Sequence, residues 1–273
     1  MSPKKEADQM SFWGHLEVLR RCLFRILAVT LVAGIAAFCF KSLLFTIVLA
    51  PKSPDFITYR LFERLVGPLQ PFEVGLINIE LAQQFIIHLK VALWMGFLLV
   101  SPYVIYVLFG FVSPALYAAE KRYAVRAVSS GYFMFMLGVL FNYFLIFPLT
   151  FRFLGTYQVD PSVNNVISLD SYISTLLMLC LTMGIIFELP VLCWLFAKMG
   201  IMKAAFMKKY RRHAIVVIVI IAAIITPTGD AFTLMLVSLP IYLLFELSVL
   251  IVKKTERHPH ETSTTEADAA EAS

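Results

Sequence analysis

Residues 171–197 read SYISTLLMLCLTMGIIFELPVLCWLFA, and Glu188 is the one charged side chain in this stretch. A helix needs about 20 mostly apolar residues to cross the hydrocarbon core of a bilayer. Pro190 lacks the N–H that an unbroken helix would use, so a kink is expected close to it. The stretch therefore predicts a bent membrane-spanning helix with a carboxylate deep inside it.

The composition of the whole chain agrees with a membrane protein. Of the 273 residues, 60% are hydrophobic and only 15% are charged, whereas about 25% of residues are charged in a typical soluble domain. The mean hydropathy is +0.81. These values exclude a water-soluble globular protein, a disordered chain and a disulfide scaffold. The four cysteines lack the spacing of metal ligands, so we expect no disulfide framework, metal site or cofactor.

Charged residues divide the rest of the sequence into five further apolar runs. The alternation of apolar and polar residues that is typical of a membrane β-strand is absent. We therefore predict an all-α, polytopic membrane protein with six transmembrane helices. The predicted spans are about 22–44, 85–109, 127–148, 171–197, 214–226 and 231–252.

The positions of the basic residues predict the orientation of these spans. Seventeen of the 23 Lys and Arg residues lie near the two termini or in the connections 110–126 and 198–213. Cytoplasmic loops are enriched in basic residues, so both termini are predicted to be cytoplasmic. Residues 1–21 are expected to form an amphipathic cytoplasmic segment, and residues 253–273 a disordered cytoplasmic tail.

Two segments differ from a simple bundle of long spans. In the external connection 46–83, the amphipathic piece Ile57–Val66 is expected to form a short helix on the membrane surface. The fifth and sixth apolar runs are expected to be short. Ala214–Ile225 gives about 18 Å of helix, against a bilayer core of about 30 Å. Either polar flanks enter the core or the membrane becomes thinner there.

Three ionisable residues within or beside the spans are candidate functional groups. A charge at the depth of Glu188 costs at least about 2.5–3.5 kcal/mol, so this residue should face a polar cavity or a partner. The alternative is a protonated side chain that bonds to a neighbouring helix. Asp230 is expected to cap the sixth helix, with or without a further role. Lys90, near the external end of the second span, is expected to extend its ammonium group towards the interface.

Two carboxylates on the predicted cytoplasmic face, Glu17 and Glu120, form a second candidate set. The neighbouring basic residues, including Arg20, fit topology signals or contacts with lipid phosphate. Carboxylates contribute little to topology, and they suit the capture of a basic peptide. Pairing of arginine with a carboxylate can be bidentate, which allows such a site to prefer Arg over Lys.

Several short motifs occur in an order and spacing that resemble one family. They are His15-Leu16, Leu19-Arg20, Ala50-Pro51, Ser101-Pro102, Phe111-x-x-Pro114-Ala115-Leu116-Tyr117-x-x-Glu120, Phe141-x-Tyr143-Phe144, Phe147-Pro148, Phe187-Glu188-Leu189-Pro190-Val191 and Thr226-Pro227 with Asp230. The set resembles the TatC family, the multi-span receptor subunits of the twin-arginine protein translocase. The resemblance covers roughly residues 12–252.

The resemblance implies a cup-shaped bundle of six spans in the bacterial inner membrane. It implies a receptor and core subunit that recognises the Arg-Arg motif of export signals. The translocase passes folded proteins across the membrane with the proton-motive force. The implied partners are TatA-type and TatB-type single-span subunits, signal peptides, further copies of the chain and membrane lipid. Neither enzymatic activity nor nucleic-acid binding is expected.

The resemblance also assigns expected roles to individual residues. The signal-peptide set is Glu120, Phe111, Pro114, Glu17, Leu19 and Arg20. Glu188 matches the intramembrane carboxylate of the concave side, and Pro51 and Asp230 match external positions that affect assembly or transport. Lys90 is placed with this external group. The family opening usually reads His-Leu-x-Glu-Leu-Arg, so Glu17 stands one position early and Val18 occupies the usual Glu position.

The residues alone leave three other function classes to consider. A proton- or ion-coupled transporter of small solutes would use Glu188 as its coupling group, but internal repeats and paired intramembrane charges are absent. A membrane enzyme would need a catalytic set, and the sequence holds no Walker loop, nucleophile elbow or zinc-binding motif. A structural scaffold is the remaining alternative.

Overall fold

Helices make up most of the structure, as the apolar runs predicted. The computed structural model describes residues 12–67, 74–112, 121–160, 165–198, 200–226 and 229–257. The helices are α1 (Phe12–Phe38), α2 (Lys41–Leu49), α3 (Ile57–Val66), α4 (Gln83–Val112), α5 (Lys121–Phe141), α6 (Phe147–Thr156), α7 (Leu169–Phe187), α8 (Leu189–Lys198), α9 (Ala204–Lys209), α10 (Arg211–Ile225) and α11 (Ala231–Arg257). A 3₁₀ turn (Ala50–Lys52) follows α2, and a π-helical turn (Asn142–Ile146) joins α5 to α6.

Within the described residues, five helical segments are long and apolar enough to cross a membrane. They are Leu16–Phe38, Gln83–Phe111, Val128–Thr156, Leu169–Lys198 and Ala231–Glu256. The architecture is therefore all-α and polytopic, which confirms the predicted fold class. The segment predicted as the fifth span, α10, has 15 residues, or about 22 Å of helix. The count of six spans and the cytoplasmic placement of both termini stay predictions.

The sixth apolar run is longer than expected, and the prediction that it is short is wrong. Helix α11 has 27 residues, which corresponds to about 40 Å. The helix continues beyond the predicted end at residue 252, and a hydrogen bond to another helix holds its charged last turn. There the Glu256 carboxylate accepts a hydrogen bond of 2.8 Å from the backbone N–H of Ala204, at the start of α9. This bond fastens the end of α11 to the connection between α8 and α10.

The first predicted span, 22–44, is divided in the structure. Helix α1 already includes the N-terminal segment from Phe12 and ends at Phe38, and α2 begins at Lys41. The chain turns at Cys39 and Phe40, whose N–H groups bond to carbonyls three residues earlier. The predicted amphipathic entry segment is thus the first part of one continuous helix.

Glycines allow the long helices to approach closely. A Cβ atom on Gly96 of α4 would collide with the backbone of Gly34 in α1. Likewise, a Cβ atom on Gly138 of α5 would lie 2.6 Å from the Met183 carbonyl oxygen in α7. Small residues are common at helix contacts in membranes because van der Waals packing, rather than the hydrophobic effect, holds such helices together.

A short parallel pair of strands joins the two connections that the sequence predicts to be external. Strand β1 (Gly75–Ile77) pairs with β2 (Val166–Ser168), and Leu76 lies opposite Ile167. The pairing ties the first external connection to the second. Ser168 then begins α7, where its hydroxyl oxygen accepts a bond of 3.2 Å from the Ser171 N–H.

A proline in the third membrane-crossing segment leaves a carbonyl that another helix satisfies. In an α-helix the Phe144 carbonyl would accept from residue 148, but Pro148 has no N–H. The chain forms its π-helical turn here, and the Thr58 hydroxyl of α3 donates to the Phe144 oxygen. The neighbouring Tyr59 hydroxyl lies 3.0 Å from the Pro148 oxygen and 3.1 Å from the Pro51 oxygen.

Two further prolines show the same compensation. Pro51 cannot donate to the Ile47 oxygen, which accepts from the Ala50 N–H and, at 2.6 Å, from the Tyr143 hydroxyl. Pro102 cannot donate to the Leu98 oxygen, and the Ser101 hydroxyl does so at 2.7 Å. At Pro190 the helix breaks instead, and the Glu188 N–H bonds to the Ile185 oxygen at 3.1 Å. The carbonyls freed by Pro51 and Pro102 are therefore paired within the chain.

We expect Thr58→Val to lower stability by about 1–3 kcal/mol, because it leaves the Phe144 carbonyl without this donor while keeping the shape of the side chain. The measurement is the midpoint of thermal unfolding in detergent. Thr46→Val is the matched control, since its hydroxyl bonds to Ser42 within the exposed face of α2. An equal effect of the two substitutions would contradict the role given to Thr58.

Candidate functional site

The cytoplasmic candidates at the start of the chain lie on the first turns of α1. Glu17 pairs with Arg21 at 2.5 Å, and the two side chains are 52% and 71% exposed. Arg20 is also exposed, while Val18 and Leu19 are half-buried. The one-residue shift therefore places the carboxylate on the exposed side of the helix and leaves the apolar Val18 against its neighbours.

The second cytoplasmic set is described only in part. Phe111 is half-buried in the last turn of α4. Pro114 and Glu120 lie outside the described residues. The predicted approach of Glu120 to Glu17 and Phe111 thus stays a prediction.

Glu188 occupies the break between α7 and α8, as Pro190 led us to expect. Both of its carboxylate oxygens are buried, and neither has a hydrogen-bond partner among the described residues. The hypothesis of a side chain bonded to a neighbouring helix therefore gains no support from this part of the chain. The ten residues of α8 extend from Leu189, next to Glu188, to Lys198, over about 15 Å of helix, which equals half the thickness of a bilayer core.

A glycine on α5 makes room for the Glu188 carboxylate. A Cβ atom on Gly131 would lie 3.1 Å from Glu188 Oε2, 3.0 Å from Phe109 and 3.3 Å from Ile105. The carboxylate thus lies at a junction of three helices, with apolar side chains of α4 beside it. A buried polar group without a partner costs free energy, so this position suits an incoming donor.

Lys90 forms an ion pair, and its extension towards the interface stays a prediction. Its ammonium nitrogen lies 2.7 Å from Asp170 Oδ1 and 3.4 Å from the Ser174 hydroxyl. The pair connects α4 to the start of α7. The sequence analysis did not pair Lys90 with Asp170. The two opposite charges lie at the same predicted membrane boundary, and this shared depth could have indicated the pair.

The remaining external candidates have structural roles. Asp230 caps α11 as predicted, and its carboxylate accepts from the Thr233 N–H at 2.7 Å. Pro51 is buried in the 3₁₀ turn, where its carbonyl faces Tyr59. Burial raises the pKa of the Tyr59 phenol well above its usual range, so this donor stays protonated at physiological pH.

A second ion pair, also missed from the sequence, closes the other end of the bundle. Arg211 at the start of α10 pairs with Glu246 of α11. The Tyr242 hydroxyl lies 3.2 Å from the same carboxylate. Glu246 is therefore engaged in holding α10 against α11.

Comparison with known proteins identifies the family. A family model described as Sec-independent protein translocase protein (TatC) matches residues 14–240. The chain belongs to the TatC family. The Sec-independent protein translocase protein TatC of Blattabacterium sp. subsp. Periplaneta americana is 34% identical over 259 residues, which cover 91% of this chain and 97% of the relative. TatC of Aquifex aeolicus is 33% identical over 249 residues, 90% of this chain and 96% of the relative.

A solved structure agrees with this assignment. A crystal structure of the twin arginine translocase receptor TatC matches with a TM-score of 0.72 and 31% identity, over 89% of this chain and 99% of that one. Family membership makes this chain a multi-pass membrane component of the Tat protein translocase. TatC is a family of transport proteins rather than of enzymes, as the sequence predicted.

We expect Lys90→Asp and Asp170→Lys to lower stability by about 1 kcal/mol each, because each leaves two like charges opposed across α4 and α7. The double substitution should restore most of the loss. Thermal unfolding in detergent measures both effects, with Lys52→Asp as an external control. Additive losses in the double variant would show that the ion pair does not hold the two helices.

Proposed function

We propose that this chain is the signal-peptide receptor and core subunit of a twin-arginine translocase in the bacterial inner membrane. In this proposal the translocase exports folded proteins with the proton-motive force. The observation that carries the proposal is the family match over residues 14–240. It spans the cytoplasmic turns of α1, the first internal connection and the helix break at Glu188. The sequence contains no nucleotide-binding loop, which agrees with an energy source other than ATP.

The proposed receptor site captures the two arginines with carboxylates. Glu17 is exposed, and its partner Arg21 lies four residues away on the same helix. Exposed pairs of this kind contribute only about 0.3–0.5 kcal/mol, so an incoming arginine can replace Arg21 at little cost. Glu120 supplies the second carboxylate in this proposal. Leu19, Arg20, Phe111 and Pro114 would line the same surface.

The apolar part of the signal is proposed to continue into the membrane towards Glu188. In this proposal the carboxylate faces the concave side of a six-span bundle. Its buried oxygens have no partner in the described residues, so a donor from the signal or from a partner subunit would relieve their desolvation. TatA-type and TatB-type single-span subunits and further copies of this chain are the proposed assembly partners.

Substitution of Glu120 tests the receptor assignment. Glu120→Ala should weaken binding of an Arg-Arg signal peptide by about tenfold or more, since a charged hydrogen bond contributes about 1.5–3 kcal/mol. Binding can be measured by photocrosslinking of the peptide to Phe111 variants in native membranes. Glu63→Ala, at an exposed carboxylate of α3, is the control. Unchanged binding and export in the Glu120 variant would remove this residue from the site.

Substitutions of Glu188 separate a receptor from a proton-coupled transporter. The receptor proposal needs a polar group at this depth, so Glu188→Gln should retain export and Glu188→Leu should reduce it several-fold. If proton transfer at Glu188 instead drove the transport, export would be lost in both variants, because an amide cannot take up and release a proton. Export of a reporter with a twin-arginine signal is the measurement, with membrane levels of each variant determined in parallel.

A further inference from the structure

Helix α3 presents an apolar stripe that the described structure does not cover. Ile57, Leu61 and Leu65 are 63%, 56% and 74% exposed. They are spaced four residues apart, so they lie on one face of the helix. A stripe of exposed aliphatic side chains on a short amphipathic helix is typical of helices that lie in a lipid interface.

Two other side chains of α3, those of Thr58 beside the stripe and Tyr59 opposite it, fix the helix beside a membrane-crossing segment rather than beyond its end. Thr58 donates to the Phe144 oxygen, and the Tyr59 hydroxyl lies 3.0 Å from the Pro148 oxygen. Both acceptors belong to the apolar segment Val128–Thr156. The side chain of Thr58 and that of Tyr59 are buried, so the attachment is firm.

The level of this attachment is given by Arg152. Twenty-five uncharged residues separate Arg126 from Arg152, somewhat more than the about 20 that cross a bilayer core. Pro148 lies one turn inside Arg152, and the Arg152 guanidinium lies 5.7 Å from the centre of the Tyr59 ring. Helix α3 is therefore attached where the apolar run ends, which is the depth of the external interface.

The charges of α3 border the stripe on one side. At 100° per residue, Arg60 and Arg64 follow the stripe around the helix, and Glu63 lies beyond them. Arg60 lies 3.2 Å from Asp55 at the start of the same connection. A guanidinium beside an exposed apolar stripe matches a lipid, in which a phosphate lies directly above the hydrocarbon chains.

We propose that α3 is embedded in the external lipid leaflet, with Ile57, Leu61 and Leu65 among the upper acyl chains and Arg64 at a lipid phosphate. Lipid is the occupant rather than a second copy of the chain. Three aliphatic side chains are well below the about 800 Å² per partner that a stable protein interface buries. Because Thr58 and Tyr59 attach α3 beside Pro148, the embedded helix fixes the depth of Pro148 in the membrane.

Photolabelling by lipid tests the proposal. Benzoylphenylalanine replaces Leu61, or Leu65 as a second position, in the full chain reconstituted in radiolabelled phosphatidylethanolamine–phosphatidylglycerol vesicles. Leu27, an exposed residue of the first span, is the lipid-facing control. Glu63, on the other face of α3, is the water-facing control.

We expect positions 61 and 65 to incorporate lipid label as efficiently as position 27, and position 63 several-fold less. Equal, low labelling at positions 61, 65 and 63 would place the stripe in water and overturn the proposal. Crosslinking of position 61 to a second copy, in place of lipid, would assign the stripe to an interface between chains and overturn it equally.

Discussion

Every backbone carbonyl in the hydrocarbon region needs a donor, because no water is present there to supply one. Prolines make this constraint harder to meet, because each lacks the N–H that would pair with a carbonyl one turn earlier. At Pro148, Pro102 and Pro51, a nearby hydroxyl takes the missing position. Two of these hydroxyls come from distant parts of the sequence, so these hydrogen bonds also join helices. The shape of the molecule depends on these local solutions.

The sequence predicted the parts of the fold that depend on composition and on local rules. The apolar runs, the break at Glu188 and the cap at Asp230 follow from hydropathy, proline chemistry and helix capping. The split after Phe38 and the full length of α11 were not predicted, since both depend on contacts made after folding. The ion pairs of Lys90 and Arg211 join residues far apart in sequence. A single sequence indicates such partners only when both residues are predicted at the same depth in the membrane.

The candidate site was predicted in part, mainly through the resemblance to a family. Glu188 is predictable from the sequence because it is the one charged residue in a long apolar run. The structure adds that Glu188 has two buried oxygens without a partner in the described residues, beside a glycine that leaves room for them. Sequence patterns could not have found Gly131, because its importance lies in an absent side chain on another helix.

The bond between Glu256 and the Ala204 N–H bears on where the chain can be shortened or fused to another protein. A fusion partner attached after Arg257 leaves this hydrogen bond intact. Removal of the chain from Glu256 onward would leave the Ala204 N–H without this acceptor, and α9 would then be held against α11 by the packing of Ala204 and Met207 on Val249 and Val252. A tag or fusion partner for purification or imaging of this translocase subunit should therefore be joined after Arg257.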